Sequence, residues 1–290
     1  MSQRGSSARV DFLRQRIARI EAGGSAESTL PHQDAPVSLG ENFSLDRMLH
    51  GGLRRGALHE IAPGRAGDGA AASGFALALS ARFAAKAAES RSSIIWIVED
   101  YARLENGAPY GPGLALHGVD PTRLVLVHTL NAKESLWAME EALKCRAAAA
   151  VIGEIWSLEK AYGLAASRRL VLAAQKSGTP GLMLASGMAR GAHKLSSSAQ
   201  TRFEIFSCVG PRLAAARGLP LPGLACWSLR IVKARAGPDR FGFDRDKLLS
   251  ILWDHEEACF RDAFPLPLSS HARNRSDHPA DARARRAEVA

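Results

Sequence analysis

The sequence predicts an α/β fold in which a mostly parallel sheet is covered by helices on both faces. Short apolar runs alternate four or five times with segments of helical periodicity between residues 58 and 185, which is the pattern of strand–helix–strand units. The run Ile94 to Val98 is continuously apolar and ends in two acids, as expected of a parallel strand buried on both faces. A glycine-rich turn also separates the first apolar run from the first helical segment.

The predicted elements follow one another regularly along the chain. A short helix around Leu45 and a glycine turn at 51–56 lead into a strand at 58–62. The helix over 72–83 carries Phe75, Leu79 and Phe83 at helical spacing. Further strands are predicted at 93–100, 123–128, 147–155 and 181–185, and further helices at 132–146 and 162–176. Residues 201–209 and 226–234 alternate apolar with polar side chains and are predicted to be extended antiparallel additions.

Residues 1–36 are predicted to be an amphipathic helix and a linker that precede a core over 37–245. The linker at 25–36 is rich in Ser, Pro and polar residues. Since a short helix before a linker does not easily bury its stripe in its own domain, we expect it to dock on a neighbouring subunit or partner; a helix folded back on the core is the alternative. The apolar stripe consists of Val10, Leu13, Ile17 and Ile20.

Two further segments are predicted after the core. Residues 246–264 are expected to form a second amphipathic helix, with Leu249 and Trp253 as candidates for partner docking. Residues 265–290 hold prolines and arginines with little apolar content, and such a composition predicts disorder.

The segment Gly64 to Ala71 has the frame of a phosphate-binding loop without its working residues. Four residues separate Gly64 from Gly69, but the next two positions, normally Lys and Ser or Thr, are Ala70 and Ala71. The lysine would reach the terminal phosphates and the hydroxyl would hold Mg²⁺. Because the loss of one charge-assisted contact costs about 1.5–3 kcal/mol, we predict little nucleotide affinity, almost no hydrolysis and no cofactor. A glycine turn that never bound phosphate is the alternative.

Acidic residues end two of the predicted strands, where α/β proteins place their chemistry. Glu99 follows the strand at 93–98 and would either orient a water or cap the next turn. At the end of the strand at 147–155, where a nucleotide-hydrolysing enzyme carries the Mg²⁺-linked aspartate, Gly153 and Glu154 stand instead.

The formal net charge of +9 favours nucleic acid or another acidic partner. A basic segment with few apolar residues runs from 186 to 200, and it either contacts a phosphate backbone or is a solvated loop. The DNA-binding candidates are Arg190, His193, Lys194 and Arg202.

The cysteines and the hydropathy exclude several classes of protein. The four cysteines are scattered and form no C-x-x-C pair, so buried free thiols are expected rather than a disulfide framework or a zinc site. No apolar run approaches the roughly 18 residues of a membrane span. The first residues lead into a charged segment, and a cytoplasmic location is therefore expected.

The order of elements over residues 37–235 resembles the RecA core. The resemblance rests on the glycine turn at 51–56, on the strand ending Val98-Glu99, and on the segment 116–126 with its following helix and strand. Three nucleotide functions of that core have no counterpart here. The departures are Ala70 and Ala71 in the loop, Gly153 or Glu154 for the Walker aspartate, and Ser186-Gly187 where RecA keeps a nucleotide-sensing glutamine.

Several stretches are similar to the ImuA family, the RecA-like member of the bacterial SOS mutagenesis cassette. They are residues 54–60, 72–79, 110–114, 136–143 and 166–170, the last followed by Gly178-Thr179-Pro180. The resemblance implies a non-enzymatic accessory role in translesion synthesis. It also implies two partners, an ImuB-like protein of Y-family type and an error-prone replicative-type DNA polymerase.

Two other functions fit parts of the sequence. One is an unorthodox ATPase in which Glu99, Asp100, Glu154 and a displaced Lys86 replace the missing groups; Lys86 lies about four helical turns beyond the loop, roughly 20 Å away. The other is an inhibitor resembling the cell-division inhibitor SulA, a class that is shorter and lacks the additional terminal helices predicted here.

Overall fold

In the computed structural model, residues 35–188, 196–210, 223–235 and 247–263 are described, and they form one nine-stranded sheet. The strand order is β3-β2-β4-β5-β1-β6-β7-β8-β9. The strands are β1 Leu58–Pro63, β2 Ser93–Glu99, β3 Leu124–Thr129, β4 Ala148–Ile155, β5 Gly181–Ala185, β6 Thr201–Ser207, β7 Cys226–Ala234, β8 Leu249–Asp254 and β9 Cys259–Asp262. The pairs from β3 to β6 are parallel, and the pairs from β6 to β9 are antiparallel.

One described helix precedes β1, and the others lie between strands along the chain. They are α1 Ser44–Met48, α2 Gly69–Ala85, α3 Asp100–Asn106, α4 Gly111–Leu116, α5 Ala132–Leu143, α6 Leu158–Ala161 and α7 Leu164–Ser177. Single 3₁₀ turns occupy Ala66–Asp68 and Pro121–Arg123. The predicted mostly parallel α/β architecture is confirmed.

Two apolar cores lie on opposite faces of the sheet because successive strand residues point to opposite sides. In β4, Ile152 belongs to the core under α2, whereas the adjacent Val151 belongs to the core under α5 and α7. In β5, Leu182 and Met183 divide in the same way. Both faces of the sheet are therefore covered, as the continuous apolar runs predict.

Local signals in the sequence set the ends of the helices on the second face. The Asn131 side chain accepts a hydrogen bond from the Glu134 N–H at 3.0 Å, and the Glu134 carboxylate accepts one from the Leu130 N–H at 3.1 Å. Such reciprocal capping fixes the start of α5. Helix α7 ends at Gly178, whose φ of 72° is the left-handed conformation that glycine adopts readily.

The prediction of an amphipathic helix over 246–264 is wrong, because this segment forms the hairpin of β8 and β9. Along β8, Leu249, Ile251 and Trp253 are buried while the residues between them are half-buried. Leucines and a tryptophan in this order fit helical spacing as well as the two-residue period of a strand. Trp253 is 2 % exposed and packs edge-on against Phe260, with ring centroids 4.8 Å apart. Leu249 and Trp253 therefore complete the core and are not available for docking.

The β8–β9 hairpin contacts the chain segment at Leu39 and Gly40, which precedes α1. The Phe260 N–H donates to the Leu39 carbonyl at 2.9 Å, and a Cβ on Gly40 would lie 2.0 Å from the Phe260 carbonyl oxygen. The core consequently continues past residue 245 to the end of β9.

The N-terminal stripe with Leu13 and Ile17, and the tail over 265–290, lie outside the described residues. Among the helices that are described, none has the length and apolar character needed to cross a membrane.

Candidate functional site

The glycine loop stands between β1 and α2, as predicted, but the neighbouring strand β6 closes over it. The Gly64 N–H donates to the Ile205 carbonyl at 2.7 Å, and a Cβ on Gly64 would lie 2.2 Å from the Phe206 ring. The Arg65 guanidinium lies over the same ring at 5.5 Å from its centroid. A side chain at position 64 would therefore force the Phe206 ring to move.

Asp68 ties the loop to the end of β6. Its Oδ1 accepts hydrogen bonds from the Ser207 N–H at 3.0 Å and the Ser207 hydroxyl at 2.7 Å. The residue is 3 % exposed, and its Oδ2 has no hydrogen-bond partner among the described residues. A carboxylate is thus buried in the loop directly before α2, where a phosphate-binding loop would receive an anion.

Glu154 places a second buried carboxylate beside the first turn of α2. Its Oε2 accepts from Trp96 Nε1 at 3.1 Å, and its Oε1 accepts from Asn106 Nδ2 at 2.9 Å. The hydroxyls of Ser73 and Ser186 also donate to Oε1, each at 3.3 Å. Burial raises the pKa of Glu154, and these four donors oppose that rise.

Asn106 fills the space above the second glycine of the loop. A Cβ on Gly69 would lie 2.6 Å from Asn106 Oδ1, while the other end of the same amide binds Glu154. The first turn of α2 is therefore covered by a hydrogen-bonded network that runs from α3 to β4.

The register of β4 decides which of Gly153 and Glu154 faces the glycine loop. A Cβ on Gly153 would lie 2.6 Å from Met139 Sδ of α5, so this position points to the opposite face of the sheet. Glu154 points toward the loop and contacts Ser73 of α2. Ser186, which the resemblance to RecA aligned with a nucleotide-sensing glutamine, donates to the same carboxylate.

Glu99 acts as a cap in this structure. Its Oε2 accepts hydrogen bonds from the Trp156 N–H at 2.7 Å and the Ser157 N–H at 3.0 Å, and the residue is 3 % exposed. These bonds join the end of β2 to the turn after β4. The turn that Glu99 caps is therefore the one after β4, and not the next turn along the chain as predicted.

The first turn of α2 offers no lysine to an anion at the loop. Ala70 is exposed and Ala71 is half-buried in this turn. Lys86 follows the last residue of the 17-residue helix, so helical rise separates it from the loop by about 25 Å. Asp68 directly precedes α2 and Glu154 bonds to Ser73 within it, so an anion at the start of this helix would meet two acidic side chains and no lysine from the helix.

Arg202 is buried within the sheet and not at the surface. It is 3 % exposed, and its Nε donates to Glu60 Oε2 at 2.6 Å. The Tyr162 hydroxyl donates to the other oxygen of Glu60, and Arg202 also donates to the Ser197 hydroxyl at 2.9 Å. The prediction that Arg202 contacts DNA does not fit this position. Arg190, His193 and Lys194 lie outside the described residues.

A groove between α5 and α7 presents apolar and basic side chains to solvent. Lys133, Trp137 and Glu140 line it at positions i, i+4 and i+7 of α5, opposite Arg169 and Leu170 of α7, around a volume of about 770 Å³. Trp137 is 63 % exposed. We refer to this feature as the Trp137 groove.

A second cavity shares Glu140 and Arg169 with the Trp137 groove. Its volume is about 410 Å³, and its lining includes Lys144, Arg146, Arg169 and Lys176. Arg169 pairs with Glu140 at 2.5 Å, and Lys144 pairs with Glu141 at 2.6 Å. The sequence contained a signal for this surface, because Trp137 interrupts the polar face of a helix whose Met139 and Leu143 point inward.

No protein-family model and no curated protein matches the chain. Among solved structures, the chain is similar to the structure titled "Crystal structure of the RadB recombinase". That similarity covers 76 % of this chain and 97 % of the other, at 16 % sequence identity and a TM-score of 0.46. Function is therefore inferred from the residues of the site.

Proposed function

We propose that this protein is a non-catalytic, RecA-type accessory protein of the SOS-induced, error-prone translesion synthesis machinery. It acts as a scaffold or regulator beside an ImuB-like protein of Y-family type and an error-prone replicative-type DNA polymerase. The observation that carries the non-catalytic part is the pair of buried carboxylates, Asp68 and Glu154, at the anion end of a loop without lysine. The family and its partners are supported by the sequence stretches that resemble ImuA.

The Trp137 groove supports a role in protein binding. An exposed tryptophan that lines a cavity is the kind of side chain that dominates binding energies at interfaces. Paired charges at Glu140 and Arg169 flank it and would add specificity more than affinity. We therefore propose the Trp137 groove as the surface that contacts the ImuB-like protein.

Direct contact with DNA is a second part of the proposal. It rests on the net charge of +9 and on Arg190, His193 and Lys194, since Arg202 is committed to Glu60. Such contacts would be made to phosphates and would weaken as the salt concentration rises.

Restoring the missing loop residues is expected to leave the protein without nucleotide affinity. In the double variant Ala70→Lys/Ala71→Thr, the acidic side chains of Asp68 and Glu154 would compete with a phosphate for the new lysine. The Asn106 amide would still occupy the space over Gly69. We expect the dissociation constant for Mg²⁺–ATP, measured by calorimetry, to stay above about 1 mM in the wild type and in this variant.

The matched control for this experiment is Ala70→Met/Ala71→Val, which adds side-chain volume without the cation and hydroxyl. Tight ATP binding or hydrolysis by the wild type would overturn the proposal in favour of an unorthodox ATPase. Tight binding by the Lys/Thr variant alone would show that the two acids are no barrier to phosphate.

Removing the indole from the groove is expected to weaken the partner complex. Trp137→Ala should reduce the affinity for an ImuB-like protein by about 30-fold, which corresponds to roughly 2 kcal/mol. Co-purification followed by titration of the two purified proteins measures this change.

The control for Trp137 is Tyr110→Ala, because Tyr110 is 72 % exposed and lies outside the groove. Equal affinities for the wild type and Trp137→Ala would remove the groove from the interface and leave the scaffold role in place. A failure of the wild type to form any complex would contradict the scaffold role itself.

A further inference from the structure

Two of the four cysteines meet at the open end of strands β6 and β7. The last residue pair of this antiparallel ladder is Ser207 with Trp227. The next positions along the two strands are Cys208 and Cys226, so the antiparallel register sets them opposite each other. The two segments stay together beyond this point, because a Cβ on Gly210 would lie 3.5 Å from the Cys226 Cβ.

The two thiols are within reach of a covalent bond. Cys208 is the side-chain hydrogen-bond partner of Cys226, and both residues are half-buried and not sealed in the core. Opposed residues in an antiparallel pair have Cα atoms about 4.5 or 5.5 Å apart. Both separations fall within the range of about 4.4–6.8 Å that a disulfide requires.

The other two cysteines lack this arrangement. Cys145 is exposed in the turn after α5, and Cys259 is buried at the start of β9. In the described part of the chain, neither has another cysteine as a partner. The chain therefore contains one matched pair of thiols and two internal controls.

We propose that Cys208 and Cys226 form a redox-active dithiol that a peroxide converts into an intramolecular disulfide. The Cys208 thiolate attacks one peroxide oxygen, the O–O bond breaks, and the sulfur becomes a sulfenic acid while water leaves after protonation. The Cys226 sulfur then attacks this sulfenic sulfur, and a second water leaves. Hydrogen peroxide is reduced to two waters as two thiols are oxidised to one disulfide, and a dithiol reductant reverses the change by exchange.

The environment assigns different roles to the two sulfurs. Burial, followed by the adjacent Cys208, raises the pKa of Cys226 to about 12, which disfavours the thiolate form of this sulfur. We therefore assign the first attack on the oxidant to Cys208 and the resolving step to Cys226.

Oxidation would act on the degenerate loop through one neighbouring residue. Ser207, directly before Cys208, supplies both hydrogen bonds to Asp68. A disulfide at the next position would hold the end of β6 against β7 and would constrain the chain between residues 208 and 226 in the unfolded state. The oxidised protein should therefore unfold at a higher temperature than the reduced protein.

The experiment uses full-length protein treated with hydrogen peroxide and then unfolded in guanidinium chloride, so that the buried Cys259 also becomes reactive. Free thiols are blocked with N-ethylmaleimide under these conditions, and the intact mass is measured. Of the four thiols, two should escape blocking in the wild type and reappear after reduction with dithiothreitol. Peptide mapping should then join the peptides that contain Cys208 and Cys226. Cys145→Ser/Cys259→Ser should form the same Cys208–Cys226 cross-link as the wild type. In Cys208→Ser, all three remaining thiols should still react with N-ethylmaleimide after peroxide treatment.

Three results would overturn the proposal. They are four blockable thiols after treatment with excess peroxide, a cross-link that persists in Cys208→Ser, or oxidation confined to Cys145. A serine variant that fails to fold is replaced by Cys226→Ala, in which Cys208 should stop at the sulfenic acid and react with dimedone.

Discussion

Replacing Arg202 by methionine is expected to lower the free energy of unfolding by about 3–5 kcal/mol. The substitution removes the cation from a buried pair in which Glu60 is 2 % exposed and Arg202 is 3 % exposed. The Glu60 carboxylate would then remain in the sheet with the Tyr162 hydroxyl bonded to its other oxygen. Loss of one partner from a buried ion pair leaves an uncompensated charge and has costs of this size.

Urea unfolding measures the change, and two further variants make the result specific. Arg169→Met breaks an ion pair whose arginine side chain is 66 % exposed, and it should cost no more than about 1 kcal/mol. The double variant Glu60→Gln/Arg202→Met also replaces the Glu60 carboxylate by a neutral amide. It should therefore recover most of the stability that Arg202→Met alone loses.

A loss of less than about 1 kcal/mol in Arg202→Met would contradict the role of this ion pair. If the DNA affinity of this variant fell while its stability stayed the same, the result would support the sequence-based prediction that Arg202 contacts DNA at the surface. Both measurements are made on the same purified variant, so the structural and DNA-binding interpretations of Arg202 are separated directly.

The sheet was predictable from the sequence because its signals are local. Strands β2, β4 and β5 are mainly apolar segments of five to eight residues, and α2 and α5 carry their apolar residues at helical spacing. Such patterns are read within a window of one element. The alternation of these elements then implies the parallel order.

The contacts that define the site were not predictable in the same way. Glu60 and Arg202 are separated by 142 positions, and Asp68 and Ser207 by 139. No local pattern encodes such pairs, because they depend on the insertion of β1 between β5 and β6. The choice between Gly153 and Glu154 likewise depended on the register of β4, which a shift of one residue would invert.

The hairpin of β8 and β9 was missed for a different reason. Leu248, Leu249, Leu252 and Trp253 satisfy helical spacing, while Leu249, Ile251 and Trp253 satisfy the period of a strand. Pairing with the edge of β7 selects the strand, because it buries Leu249, Ile251 and Trp253. Tertiary contact thus overrides an ambiguous local pattern.

Acidification is expected to destabilise the protein through His59, by about 3 kcal/mol between roughly pH 6.5 and pH 4. His59 is fully buried, with Nε2 at 2.9 Å from the Arg54 carbonyl and Nδ1 at 2.8 Å from the Thr201 hydroxyl. Since a carbonyl only accepts, Nε2 carries the proton of the neutral ring, and Nδ1 accepts from Thr201. Burial lowers the pKa of this imidazole to about 4.

The sign follows from which state binds the additional proton. Between the pKa of His59 in the unfolded chain, about 6.5, and its lower value in the native protein, only the unfolded state is protonated at this residue. The stability contributed by the neutral ring is therefore complete above about pH 6.5 and decreases as the pH falls toward 4. Each pH unit corresponds to about 1.4 kcal/mol.

Glu154 acts in the opposite sense, so its effect has to be subtracted. Burial raises the pKa of Glu154 in the native state, and this favours the native protein as the pH falls. A single stability curve mixes both groups, but the difference between two variants at His59 does not, because Glu154 is common to them.

The decisive comparison is between the wild type and His59→Gln, each unfolded in urea at several pH values from about 7 to about 4.5. The amide introduced in this variant does not titrate, so we expect the wild type to lose its advantage over the variant progressively as the pH falls. His128→Gln is the matched control, because it makes the same substitution at a histidine that is exposed on β3. Parallel curves for the wild type and His59→Gln would show that His59 is protonated equally in the native and unfolded states, which would contradict the buried neutral imidazole on which the prediction depends.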